Sequence, residues 1–502
     1  MKLKVKNLKW LAGRPVVILD RKTAEKLSIN VDERIALYYD SKKIYAVVDI
    51  FEKFVKSDEI GISHEVSRIL KVPDKFRLEI GGPEFDNGGN LIKKKISGKH
   101  LSKEEINTLV SEITNNVLTE AEISYFVAAE KMRGLSHKEL IYLTESMVNN
   151  GTKLNFNEKI VADKHCIGGI PGNRTTPIVV SICAVAGLTL PKNSSRAITS
   201  ASGTADVMET LAKVDLSIEE IKKVVKKQGA CLVWGGSLGL APSDDKIIQV
   251  ERLLNLDVEP QLLASIMSKK IAAGSNHVLI DIPYGKTAKV KSKKQAINLG
   301  NKFKELAKHF KIKVKSVYTD GSQAIGNGVG PVLEMLDILA VLKNENNQPQ
   351  DLRKKSLYLA EELMSLCNIK NAKQKAEEIL LSGKAYEKFK QIVNEQNKQS
   401  NNPSDFDKKV KSLKLAKFKK IIRAQSSGKI TELDNNKINS ICRILGTPET
   451  KSAGLYLHKH ANPKENSKVS KGEPIMTLYS ESPARIKDAI KFIKEFRPIQ
   501  IK

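Results

Sequence analysis

Cysteine is scarce in this chain. The five residues (Cys166, Cys183, Cys231, Cys367 and Cys442) lie far apart among 502, with no Cys-x-x-Cys pair. That spacing excludes a disulfide framework or thiolate zinc site and suggests reduced thiols in a cytoplasmic protein. Aromatic residues make up only 5%, so the stacking platforms of single-strand nucleic-acid binders are not evident. Acidic residues are outnumbered, 57 against 84 basic, for a net charge of +27. Such a surface attracts polyanions without specificity. The lysines are spread along the chain, however, and the densest run, 408–423, reads as a solvated face. The charge is therefore expected to steer small anions, with no specific nucleic-acid partner. No apolar run approaches a membrane span; the best, 178–190, contains Ser181 and Thr189. The N-terminus, MKLKVKNLKWL, lacks a signal-peptide core. The eight histidines show no ligand spacing. His458 and His460 would share one face of a strand but have no third ligand, so no metal is expected.

Two glycine- and hydroxyl-rich loops dominate what is present: DKHCIGGIPGNRTTP (163–177) and, after an apolar helix, NSSRAITSASGTAD (193–206). The first is expected to follow a strand over 159–162 and to end where Thr176 caps a helix and Pro177 suits its first turn. Each loop is expected to open into a helix whose N-terminal N–H groups attract anions. Lys164 and Arg174 add charge, while Ser194, Ser195, Thr199, Ser200, Ser202 and Thr204 add neutral donors. That set suits a phosphate. Neither loop has P-loop spacing, and Gly326-Asn327-Gly328-Val329-Gly330 fails the dinucleotide pattern.

The chain is expected to be a multi-domain α/β protein. Residues 1–85 read as a small β-rich assembly domain with strands at 15–19 and 35–39, and 84–98 as a linker. Capping boxes at Ser102/Glu105, Thr119/Glu122 and Ser136/Glu139 predict helices over 103–116, 120–132 and 137–149, and a fourth box stands at Ser217/Glu220. These place a helical domain at 96–157 plus 242–273. Strands at 232–234, 278–282 and 314–318, alternating with helices such as 296–310 and 331–342, predict a mostly parallel sheet in an α/β phosphate-binding domain, 158–241 plus 274–405. Ligands bind such sheets beyond the strands' carboxyl ends, where the loop 283–289 carries Lys286 and Lys289. Residues 406–502 read as a final α+β domain. Its segment 454–479 resembles the hammerhead-like barrel of lipoyl carriers without their attachment lysine, and reads as scaffold.

The motif DKHxxGG, followed by Ser194, Arg196, Thr199, Gly203, Thr204, Asp206 and Glu209, and then by SIMSKK at 265–270, resembles the thymidine/pyrimidine nucleoside phosphorylases. The resemblance runs from about residue 95 to the C-terminus. Within that family it is greatest to the archaeal-type AMP phosphorylases, which carry an added N-terminal domain. It implies a pentosyltransferase that phosphorolyses AMP or another nucleoside 5′-monophosphate, CMP and UMP included. Orthophosphate would be co-substrate, with no cofactor. A thymidine or pyrimidine nucleoside phosphorylase is the alternative. The resemblance also implies that 242–274 folds back onto the first helices, leaving a cleft between two lobes, and that the protein is a homodimer or larger homo-oligomer.

Carried onto these positions, the resemblance assigns orthophosphate to Lys164, Gly168, Thr176 and Ser194, with Thr204 assisting. It assigns the nucleotide to Gly169, Ser195, Arg196, Ala197, Ile198, Thr199, Ser200, Thr204, Ser265, Lys269 and Lys289. Arg196 and Lys289 are the expected clamp for the 5′-phosphate. Cys166 stands where the pyrimidine enzymes tend to have a phosphate-binding serine, and a thiol is the weaker donor. The arginine those enzymes bring to the base is out of place, with Arg252 the nearest match. Asp257 instead falls where the AMP enzymes have a proton donor; burial in a closed apolar cleft would raise its pKa for that work. A helix-capping role for Asp257 remains open.

Overall fold

The computed structural model describes residues 1–82, 87–197, 200–254, 256–400, 403–458 and 467–502. They form two compact units, Met1–Asn150 with Pro242–Ser265, and Gly151–Ala241 with Ile266–Lys502. Among them no helix is long and apolar enough to cross a membrane.

The first unit begins with a closed barrel. Its strands run in the order Lys2–Asn7, Glu59–Ile62, Val16–Asp20, Lys42–Phe51, Arg34–Tyr39, Arg77–Gly81. Alternation turns Leu3, Val17, Leu19, Ile35, Leu37, Val48, Ile60 and Ile62 into its core. Helices follow at Lys103–Thr114, Glu120–Arg133 and His137–Asn149, each started by the capping box its sequence announces. The expected linker 84–98 is corrected: Gly88–Ile96 is a helix. Its lysines suggest a solvated connection, yet Lys95 is buried because its ammonium donates to Glu139 at 2.7 Å. Pro242–Leu254 completes this unit's helices, together with the first half of Glu259–Ala272.

In the second unit Ala162–Cys166, His277–Tyr284 and Lys313–Asp320 form a parallel sheet. Leu190–Ser194 and Ala230–Trp234 form a second parallel pair, joined to the first sheet through a bridge between Val161 and Thr189. Helices including Thr176–Val185, Lys293–His309, Pro331–Leu342 and Gln350–Leu366 cover these strands. Two expectations shift. The strand expected at 159–162 is Ala162–Cys166, so the charged motif residues are themselves in the sheet. The helix after the first loop is capped by Thr175, not Thr176, and without a side-chain cap bond, because the Thr175 hydroxyl is taken by Lys164.

The C-terminal part has an antiparallel sheet of Phe418–Arg423, Pro474–Ser480, Gly454–Leu457 and Gly328–Val329, and a smaller one built on Gly428–Leu433. The glycine run at 326–330 therefore hands the α/β chain into that sheet. Its Gly328 and Asn327 N–H groups bond to the buried Asp337 carboxylate.

Candidate active site

Both loops leave carboxyl ends of parallel strands, the first after Cys166 and the second after Ser194. Gly168 and Gly169 have φ of +91° and +89°, a region other residues resist, and a Cβ on Gly169 would lie 3.1 Å from the Lys289 side chain. The first loop and Lys289 thus stand against each other. Lys164 is buried on its strand, and its ammonium donates to Thr175 Oγ1 at 2.8 Å and reaches Thr176 Oγ1 at 3.5 Å. Burial, with Lys355 and Arg174 nearby, lowers its pKa against the opposing pull of Cys166 and Asp281. Cys166 Sγ accepts from Asn173 Nδ2 at 3.3 Å, and burial pushes its thiol up, so it behaves as a packed sulfur.

The second loop is stapled by Asp206. Its Oδ2 accepts from the N–H groups of Ala197 and Gly203, each at 2.7 Å. Gly203 packs so tightly that a Cβ would meet Ser195 O at 2.4 Å. The helix after it, Thr204–Met208, is only five residues long; its N-cap Gly203 N–H goes to Asp206, and its Ala205 N–H goes to Ser195 O at 3.3 Å.

Arg174 ties the loops together. Its Nη1 donates to Thr204 Oγ1 at 3.0 Å, its Nη2 to Ser202 O at 2.7 Å, and its Nε to buried Glu334 at 2.7 Å. Glu334 also accepts from Ser202 Oγ and Gly330 N–H. A hydroxyl that accepts from a guanidinium keeps its own hydrogen for another acceptor, so Thr204 is set to donate. Asn439, from the C-terminal helix Asn435–Leu445, holds both loops with one amide. Its Nδ2 donates to Gly169 O at 3.3 Å, and its Oδ1 accepts from Ala201 N–H at 3.0 Å. Ser194 Oγ and Asn193 Nδ2 are buried with no hydrogen-bond partner, the state of polar groups shaped for a ligand.

Arg196 does not stand as expected. Glu209 holds its guanidinium bidentately, both contacts at 2.8 Å, Asp206 adds a third at 3.3 Å, and Trp234 lies beneath it at 4.7 Å. Lys451 also pairs with Glu209, whose carboxyl is held down at about 2, chiefly by Arg196. This arginine braces the loop through its carboxylate partners.

The remaining assignments divide between the units. Ser195 is exposed at the loop's turn, and Ser200 Oγ donates to Ser202 O at 2.7 Å. Ile198 and Thr199, like His460, lie outside the described residues. Lys269 and Lys289 belong to the second unit and are half-buried. Ser265 belongs to the first unit, where its Oγ donates to buried Asp244 at 2.7 Å. Asp257 is in the first unit too, and it is exposed. Its backbone carbonyl accepts from Lys131 at 3.2 Å. Sequence reasoning missed Glu334 and Asn439, and it left His165 without a role. Burial and the ammonium groups of Lys270, Lys192, Lys164 and Lys269 hold the His165 imidazole well below its usual 6.5, hence neutral.

The comparisons with known proteins agree with this architecture. Residues 90–151 match the glycosyl transferase family helical bundle domain, 158–386 its a/b domain, and 429–500 the pyrimidine nucleoside phosphorylase C-terminal domain. The chain is 41% identical to the AMP phosphorylase of Pyrococcus furiosus, covering 100% of this chain and 98% of that protein. The chain belongs to the pyrimidine nucleoside phosphorylase family that includes the AMP phosphorylases. AMP phosphorylase 1 of Archaeoglobus fulgidus is 37% identical, over 100% of this chain and 97% of that protein. A putative thymidine phosphorylase of Legionella pneumophila is 38% identical, over 94% and 89%. Anthranilate phosphoribosyltransferase from Thermus thermophilus shares the fold, with a TM-score of 0.51 and 16% identity over 61% of this chain and 99% of that one. This family member is a pentosyltransferase of the phosphorylase type by descent and by domain content.

Proposed function

We propose that the protein phosphorolyses AMP, yielding adenine and ribose 1,5-bisphosphate, with CMP and UMP as further substrates. The observation that carries the reading is the pair of loops clamped together by Arg174 and Asn439, with Lys164, Thr204 and the unpartnered Ser194 hydroxyl among their polar groups. Orthophosphate would sit against Lys164, Gly168, Thr176, Ser194 and Thr204. One of its oxygens forms the bond to C1′ as the bond from C1′ to the base nitrogen breaks. The negative phosphate balances the positive charge growing on the ribose, so the loops contribute positioning and electrostatics. Lys289 is the cation assigned to the 5′-phosphate; the 195–200 loop is assigned to the nucleotide with it, and Arg196 braces that loop. Lys269 and Ser265 are assigned to the base. Asp257 would deliver the proton that the departing adenine takes.

No cofactor besides the co-substrate orthophosphate enters this scheme. A cytoplasmic homo-oligomer fits it, with the barrel as assembly domain and the C-terminal α+β part, hammerhead-like, holding the loops. A thymidine-type activity is the second reading, favoured by Lys269 in its family motif and by the likeness to the Legionella protein. Incubation of the purified protein with phosphate and AMP, CMP, UMP, adenosine or thymidine, followed by quantification of free base, separates the two. Release from AMP well above that from the nucleosides is expected; release from thymidine alone would reverse the assignment.

A further inference from the structure

Asp163, Lys192 and Lys270 form a cluster from which water is excluded; none exposes more than 4% of its surface. Lys270 Nζ donates to Asp163 Oδ2 at 2.7 Å, and Lys192 Nζ lies 3.1 Å from Oδ1. Lys192 also donates to Asn193 O at 2.6 Å, and Lys270 reaches Asn193 Oδ1 at 3.4 Å. Among the described residues, no other carboxylate forms an ion pair with either lysine. Two cations therefore share one anion. Burying a charge costs several kcal/mol unless it is matched, so a fold that only needed these segments joined would do so with one lysine or with apolar packing.

The surplus charge sits among the groups of the proposed site. Asp163 directly precedes Lys164 and His165, Lys192 stands two residues before Ser194, and Lys270 directly follows Lys269. The charges bearing most on His165 are Lys270, Lys192, Lys164 and Lys269, all cations. We propose that Lys270 is a positioning residue of the phosphorolytic site: through Asp163 it locks the helical turn carrying Lys269 to the strand carrying Lys164 and His165. As a consequence its charge, with those of Lys192, Lys164 and Lys269, bears on His165. The Lys270 ammonium is itself pushed down, first by burial and then by Lys192, against the pull of Asp163. The kinetic part of this inference rests on the phosphorolysis reading; the His165 part does not.

The test uses the full-length protein and the variants Lys270→Met and Lys270→Arg. In Lys270→Met the neutral Asp163–Lys192 pair survives, so the midpoint of thermal unfolding should move by no more than about 3 °C. The kcat for AMP should fall at least about tenfold, with a smaller change in KM for phosphate. In isotope-edited NMR of the histidine rings, His165 should stay neutral through pH 6 in the wild type, and its pKa should rise in Lys270→Met. Lys270→Arg keeps the charge and should keep the His165 titration. A lowered midpoint with kcat and the His165 titration unchanged would overturn the proposal, leaving Lys270 a structural group. If Lys270→Met does not fold, the wild type and Lys270→Arg decide: a wild-type His165 that protonates near 6.5 contradicts the proposal. If the wild type releases no base from AMP, the functional reading fails, while the His165 comparison still tests the charge argument.

Discussion

Asn439→Ala is the perturbation that most sharply separates holding the loops from holding the fold. The residue is buried on a C-terminal helix, and its amide is shared between Gly169 O and Ala201 N–H. Truncation leaves one acceptor and one donor buried without partners, at about 1–3 kcal/mol each. The 3.3 Å bond to Gly169 belongs at the low end of that range. A total near 2 kcal/mol, applied to the ordered arrangement of the two loops, raises the KM for phosphate by up to about 30-fold. Steady-state kinetics with phosphate varied at saturating AMP reads this directly, with urea unfolding run in parallel. Asn435→Ala provides the control, since Asn435 sits on the same helix and donates to Gly321 O at 2.9 Å, away from both loops. It should lower the unfolding midpoint with little change in KM for phosphate. Equal KM effects in the two variants, or a lowered midpoint alone in Asn439→Ala, would refute the reasoning.

Lys289→Ala should raise KM for AMP at least about tenfold more than KM for adenosine, because only the nucleotide offers a 5′-phosphate; equal changes would remove Lys289 from that role. Arg196→Ala, by contrast, should impair nucleotide and nucleoside alike, since its guanidinium braces the loop through Glu209 and Asp206; selective loss of nucleotide would restore it as a direct ligand. Glu139 accepts from Lys95, His100, Leu101 N–H and Ser136 N–H, and these bonds outweigh burial to hold its carboxyl at about 2 against the usual 4.5. Its contribution, about 3 kcal/mol, is therefore whole above pH 4.5 and lost as the pH falls toward 2. Urea unfolding of Glu139→Gln should show a correspondingly weaker acid dependence over that interval, and an unaltered dependence would contradict the assignment.

Local signals were legible in the sequence. Ser or Thr followed three residues later by Glu announced the helices at Lys103–Thr114, Glu120–Arg133 and His137–Asn149, and the apolar strands of the second unit were readable in the same way. The loop pair was legible because its glycines and hydroxyls stand close together in the chain. Charged residues made buried by distant partners were not legible. Asp163 and Lys164 read as loop but lie in the sheet, with Lys192 and Lys270 matching Asp163 from elsewhere. Gly88–Ile96 was hidden in the same way, by lysines that meet Glu105 and Glu139. Asn439 carries no local mark; it meets Ala201 across 238 residues of chain. Arg196 is legible as a motif residue, but spacing cannot show that Glu209 and Asp206 take three of its hydrogen bonds.

The central claim is that the two loops make one phosphate site, and crystals soaked with tungstate, an anion with strong anomalous scattering, test it most directly. The account predicts a single strong peak within hydrogen-bonding reach of Ser194 Oγ and Thr204 Oγ1 and beside the Lys164 ammonium, displaced by added phosphate. A peak elsewhere that phosphate displaces, with the loops empty, would contradict it.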